Sequence, residues 1–310
     1  DEAIVKCDSY IGNANYSGGG PEINLGFEPQ WVMIKNATQS DTYANWMIFD
    51  NMRGGGDGVD RVLTANRSDA ENGTYTGGSS GTDFITFTST GFKIEGPGYT
   101  ATDTVSKTYI YIAIRRSHKP PTAGTDVFAI EKLSGSQSSP AFRTGIVTDM
   151  GWARRLNDGD YYGDGVGVYD RLRGDKYLAT GSNAVEGTDS FDGDYMNGFY
   201  SSAISGDIGY SFKRAAGFFD IVAYTGTGSA QNVTHNLDAV PELIIVKARD
   251  VVDHWQVYSS VTDETDFLML NQSDGADDQV SKWNDTAPTS SVFTVNTDPG
   301  VKQSTKQYIA

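Results

Sequence analysis

The stretch WVMIKNATQSDTYANWMIFD, residues 31–50, decides how this chain is read. It holds an aliphatic run ending in Lys35, a polar insert, and then Trp46, which opens a second apolar run. Residues 243–258, LIIVKARDVVDHWQVY, repeat the pattern with Lys247 and Trp255. The match extends outward in both directions. PQWVMIK (29–35) pairs with PELIIVK (241–247), and RVLTANRSD (61–69) with DFLMLNQSD (266–274), which sets Asn66 on Asn271. TGFKI (90–94) answers SVFTV (291–295), and KTYIY (107–111) answers KQYIA (306–310). Motifs that recur in one fixed order are the mark of a repeated structural unit.

A third copy is expected between these two. IFDNMRG (48–54) resembles VYDRLRG (168–174), and VLTANRSDAE (62–71) resembles YLATGSNAVE (177–186). IYIAIRR (110–116) likewise resembles IGYSFKR (208–214). The expected division is repeat 1 over 1–117, a linker over 118–125, repeat 2 over 126–216 and repeat 3 over 217–310. The last repeat is expected to be cut short at its C-terminal end. Pro120 and Pro121 in SHKPPTAGT (117–125) stop both helix and sheet there. The second junction, KRAAGFFDIV (213–222), is short, so repeats 2 and 3 are expected to abut.

Within each copy the apolar period is two, and the runs are short and bounded by turn residues. YIYIAIRR and FFDIVAYTGTG read as strands, and DFITFTSTGFKI as two strands around a turn. DDQVSKWND (277–285) has room for one helical turn. The fold expected is all-β, three tandem β-sandwich modules of jelly-roll-like character.

A net charge of −16 argues against nucleic acid as a partner, because a phosphate backbone calls for a basic stripe. Cys7 is the only cysteine, so no internal disulfide supports the fold. No run of 18 apolar residues is present to form a membrane span. The start, DEAIVKCDSY, has neither an initiator Met nor a signal peptide, and KQYIA ends inside a strand pattern. The chain is therefore expected to be a portion of something longer.

The frame shared by the copies resembles a repeat seen in virion proteins of marine tailed bacteriophages. It is carried by Tyr224, Gly226, Pro241, Lys247, Trp255, Tyr258, Asn271, Phe293 and Tyr308. In the first copy the matching positions are Tyr10, Gly12, Pro29, Lys35, Trp46, Phe49, Asn66, Phe92 and Tyr109. The middle copy departs most, with Asp149 after the expected Pro position and Arg154–Arg155 in place of Lys. The resemblance implies a structural protein on the virion exterior, placed in a tail or tail fibre, and no reaction. The partners expected with it are other virion proteins, further copies of the chain, for which a trimer suits a slender fibre, and a host-surface glycan or receptor. The alternatives are a capsid decoration or head-fibre protein, and a virion-associated polysaccharide depolymerase.

The residues add little chemistry to that. His118, His235 and His254 lie in linker, turn and loop, with no nucleophile or metal motif around them. A depolymerase would need paired carboxylates, and nothing singles out a pair. No cofactor is required. Calcium is the one metal considered, at Asp158, Asp160 and Asp164 in NDGDYYGDGVGVYD (157–170). That loop lacks the order of an EF-hand. Trp46 and Trp255 share one frame position and are expected in a sandwich core. Aromatic residues without counterparts are the expected glycan contacts: Tyr161, Tyr162, Tyr99 and Trp283. Asp50 and Arg53 are expected to form a local ion pair in a turn.

Overall fold

The computed structural model describes residues 4–15, 19–53, 61–71, 84–95, 101–116, 119–134, 140–156, 165–193, 195–202 and 206–310. Its described elements are mostly strands in antiparallel sheets, with no closed barrel. Two compact units result. One is Asp1–Ser117 with Arg171–Asp175, and the other is His118–Asp170 with Lys176–Ala310.

The opening stretch forms β-structure because its alternation matches the pleat. The first copy contributes β1 (Val5–Ile11), β2 (Glu22–Asn24), β3 (Pro29–Asn36), β4 (Met47–Asp50), β5 (Leu63–Thr64), β6 (Ile85–Thr88), β7 (Gly91–Ile94) and β8 (Thr108–Arg115). On β3, Val32 and Ile34 point into the core, while Trp31, Met33 and Lys35 take the other face. Two sheets follow, of order β1-β8-β3-β4-β5 and β2-β7-β6. Between them lies a core of Tyr10, Phe27, Val32, Ile34, Met47, Phe49, Phe87, Phe92 and Tyr109, among others. At the turn after β4, Arg53 Nε donates to Asp50 Oδ2 at 2.8 Å, the local ion pair the sequence suggests. Arg53 also reaches Glu71 at 2.9 Å, and these carboxylates raise its pKa against the lowering effect of burial.

The middle segment supplies β9 (Phe128–Lys132), β10 (Met150–Arg154), β11 (Gly167–Asp170), β12 (Lys176–Ala179), β13 (Gly187–Thr188) and β14 (Ile208–Phe212). The last copy supplies β15 (Ala223–Thr225), β16 (Gln231–Thr234), β17 (Leu243–Ala248), β18 (Gln256–Ser259), β19 (Asp266–Met269), β20 (Asp277–Asp278), β21 (Val292–Val295) and β22 (Gln307–Ile309). Helix α1 (Val280–Trp283) is the single turn expected in DDQVSKWND, and α2 (Pro299–Lys302) is a second. The main sheets run β9-β14-β10-β11-β12-β13 and β15-β22-β17-β18-β19-β20. Each main sheet thus pairs its first strand with its last, and the last with the central strand that begins a meander.

The jelly-roll expectation is corrected in one respect. First pairs with last and second with second-to-last, but β3, β4 and β5 then form a meander instead of continuing the wrap. The middle segment departs further. Its place for a second sheet is taken, among the described residues, by the bridges Phe142↔Phe199 and Asp192↔Tyr200.

The first and last copies are locked by the same side chains. Tyr10 and Tyr109, directly opposite on β1 and β8, stack at 5.1 Å with an 11° tilt. Tyr224 and Tyr308 on β15 and β22 stack at 5.2 Å and 15°. Phe92 and Phe293 meet Tyr10 and Tyr224 edge-on at 6.5 and 6.2 Å. The phenols hold the loop before the last strand. Tyr10 Oη donates to Thr102 O (2.7 Å) and Tyr224 Oη to Val301 O (2.8 Å). Tyr109 Oη accepts from Thr104 N (2.8 Å), and Tyr308 Oη from Gln303 N (2.7 Å). The glycine two residues past each first tyrosine is forced by this packing. A Cβ on Gly12 would stand 2.3 Å from Thr104 O, and one on Gly226 would stand 2.2 Å from Gln303 O.

Two outcomes follow. Gly226→Ala should cost about 1–3 kcal/mol by overpacking, read from urea unfolding. Gly275→Ala, where nothing lies within 4 Å, should not change stability measurably. Burial raises the phenol of Tyr308 to about 12 and carries Tyr224 and Tyr10 well above 10. An unfolded phenol ionises near about 10. The neutral form is the one the folded state favours, so this stabilisation is complete below pH ~10 and drains as pH rises towards ~12. Absorbance at 295 nm should therefore show a late set of tyrosines that titrates together with loss of structure.

Candidate functional site

The frame residues Trp46, Asn66, Trp255 and Asn271 are joined by one device. Asn66 Oδ1 accepts from Trp46 N (3.0 Å), and Asn271 Oδ1 accepts from Trp255 N (3.1 Å). This ties the start of the second apolar strand to the turn after the third. In the middle segment Thr180 Oγ1 accepts from Val166 N at 2.9 Å, so the link persists with neither Trp nor Asn.

The indole of Trp255 does something the sequence did not suggest. It is buried, but its Nε1 donates to Ala179 O (3.0 Å) and Ser182 O (3.1 Å) of the middle segment. The core expectation is corrected for this residue: the ring sits in the joint between the middle and last segments. Trp46, its counterpart, is only half-buried. Around Trp255, Asp253 N donates to Asn183 O (3.0 Å) and Glu186 N to Arg249 O (2.8 Å). Arg249 grips Glu186 through Nε and Nη2 at 2.9 and 3.0 Å. Lys247 Nζ, fully buried, donates to Ala248 O at 2.8 Å and lies 3.5 Å from Asn183 O. On the far side Arg214 Nε meets Asp220 Oδ1 at 2.7 Å, and Asp220 Oδ2 accepts from Asn236 N at 2.8 Å. The short junction therefore carries a built joint.

A second surface lies on the middle sheet. One face of β9, β14 and β10 presents Phe128, Phe212, Ile130, Tyr210, Met150 and Trp152 by register. The opposite face packs on Phe142 and Phe199. Phe212 contacts Phe128 (5.0 Å) and Trp152 (5.7 Å), and Ile130 is 54% exposed. At its end an open cleft of about 670 Å³ is lined by Ala123, Gly124, Thr125, Phe128, Phe212 and Phe218. That size suits a small apolar ligand or a partner's side chain. Only alternation along the strands, FAIEK and MGWAR, could have revealed this face in the sequence.

The expected contact residues fare differently. Tyr99, Tyr161 and Tyr162, and the calcium candidates Asp158, Asp160 and Asp164, lie outside the described residues. Among the described residues no three His, Cys, Asp or Glu side chains cluster as metal ligands. Trp283 is corrected: it is 2% exposed and packs edge-on against Tyr258 at 6.1 Å, so it offers no face for stacking. Its helical turn is held by Lys282, which meets Asp298 at 2.8 Å and sits over the Phe267 ring at 4.6 Å. His118 is outside the described residues. His235 is a structural group: Nδ1 accepts from Leu237 N (3.2 Å), which leaves Nε2–H to donate to Thr289 O (3.2 Å). Burial lowers its pKa.

The chain belongs to a family described as a domain of unknown function (DUF7483), matched over residues 2–117 and again over 195–310. The family thus occurs in two copies, and the expectation of three is corrected. No curated protein and no solved structure matches the chain. The second match begins within the middle segment and takes in β14. Glu131 and Gly209 are opposite each other where the family copies hold their stacked tyrosines. The register is set by the bonds Leu133 N→Asp207 O and Gly206 N→Leu133 O, the counterparts of Gly12 N→Lys107 O and Ser106 N→Gly12 O. The Phe142 ring fills the vacated space, since a Cβ on Gly209 would stand 2.6 Å from it.

Arg249→Ala should destabilise the second unit by roughly 3 kcal/mol, because it leaves the Glu186 carboxylate without its ion-pair partner in a largely buried site. Urea unfolding of Arg249→Ala and Glu186→Gln, singly and together, checks this. The double variant should be more stable than Arg249→Ala alone.

Proposed function

We infer that this chain is a structural protein of a bacteriophage virion, carried on the tail or its fibres, whose loops contribute to host-surface contact. The carrying observation is the recurrence of one sheet order along the chain, with its lock of stacked tyrosines kept in two copies. That recurrence supports reading the chain as two family modules with a β-sheet segment of like strand order between them. Stacked modules extend a structure while each buries its own core. The connecting loops differ between copies: NATQSDTYAN follows Lys35 and ARDVVDH follows Lys247. Loops on a rigid scaffold are where recognition residues are placed. The phage assignment itself rests on the resemblance of the frame. The aromatic face and cleft of the middle sheet supply a surface suited to a neighbouring virion protein or to the apolar faces of sugars.

Gold-labelled antibodies raised against the chain should decorate tails of intact particles in electron micrographs. Label spread over the capsid lattice would replace the tail reading with head decoration. Particles left bare while other virion proteins label would remove the virion reading altogether.

A further inference from the structure

The joint between the middle and last segments has an uncovered equivalent in the first copy. In the last copy the outer sheet face around Lys247, Trp255 and Ile309 is covered, leaving them 0%, 5% and 6% exposed. The cover is the turn Ala179–Ser182, closed by Ser182 N→Ala179 O at 3.1 Å, and the residues after it. The matching residues of the first copy are Lys35, Trp46 and Ile110. Ile110 is 42% exposed, and the other two are half-buried. Their local geometry is already that of the covered site. Lys35 Nζ donates to Asn36 O at 2.7 Å, as Lys247 Nζ does to Ala248 O at 2.8 Å.

The complementary half is also present and uncovered. The last copy carries the same turn at Met269–Gln272, closed by Gln272 N→Met269 O at 3.2 Å. Gln272 and Ser273 are exposed. In the internal joint the turn offers backbone carbonyls, those of Ala179, Ser182 and Asn183, so recognition asks little of side-chain identity. The carbonyls of Met269, Gln272 and Ser273 stand in the corresponding places.

We propose that a second copy of this chain docks head to tail: the turn Met269–Ser273 of one copy seats on the Lys35–Trp46–Ile110 face of the next. The Trp46 indole then donates to the carbonyls of Met269 and Gln272, and Ile110 loses its contact with water. The Arg249–Glu186 pair of the internal joint has no counterpart, since Ala37 stands in the place of Arg249. The joint between chains is therefore weaker than the internal one and depends on concentration. The contact is heterologous, and such contacts close into rings or run on as filaments. This goes beyond the virion reading and stands or falls separately from it.

Sedimentation velocity of the purified chain over a concentration series tests the proposal. The weight-average mass should climb with concentration. Ile110→Glu on the face, and Gln272→Arg with Ser273→Arg on the turn, should each abolish the climb while thermal melts stay unchanged. Should Ile110→Glu fail to fold, Ser9→Arg replaces it, because Ser9 is exposed and lies opposite Ile110. Mixing the face variant with the turn variant should restore a one-to-one dimer, since each supplies the half the other lacks. A monomer at every concentration up to about 1 mM overturns the proposal. So does wild-type association that ignores Ile110→Glu, or an unimpaired turn variant, which would mean that the face pairs with something else.

Discussion

Two tyrosines stacked across the first and last strands of a sheet govern how each family copy closes. Their position matters more than their stacking energy, which is about 0.5–1.5 kcal/mol beyond burial. The first strand must find the last across nearly the whole copy, and such long-range pairing carries the largest loop-closure cost. Tyr10 with Tyr109, and Tyr224 with Tyr308, sit at that closing pair. Their hydroxyls then fasten the preceding loop to the strand it feeds. Gly12 and Gly226 are consequences of the lock, because the strand must pass against that loop without a side chain.

The middle segment shows what happens when the lock is replaced. It keeps the strand order but carries Glu131 and Gly209 at the closing pair. Phe142 and Phe199, 4.8 Å apart, fill the core from a bridge where the other copies have a sheet. Topology is held by backbone pairing, which many side chains satisfy, whereas a core must be filled by shape. A segment can therefore share this sheet order while filling its core with different side chains. The freed surface has another use: the turn after β12 becomes the cap of the next copy.

That joint recasts the repeated tryptophan. Trp46 and Trp255 share a frame position and a backbone bond to an asparagine, and this much is structural in both. The ring is a separate matter. In the last copy it is a buried donor to a neighbouring segment, and in the first it is half-buried with an apolar sheet face beside it. A repeated residue can thus serve folding through its backbone and assembly through its side chain.

The repeat frame, the β-class and the pairing of Pro, Lys, Trp and Asn between first and last copies were legible in the sequence, because pleat and register impose a period of two wherever one face is buried. The Asp50–Arg53 pair and the helical turn at Val280–Trp283 were legible for the same local reason: both are made by residues within four positions of each other. Trp283 shows the limit. Its lack of a counterpart suggested a binding role, but an unmatched residue also arises when one copy fills its own core differently. What only the tertiary structure decided is which faces are covered. The sequence by itself determined the β-class and the repeat frame shared by the first and last copies. The burial of Trp255, the aromatic face of the middle sheet and the replacement of the tyrosine lock all depend on residues dozens of positions apart, and no local period records such contacts.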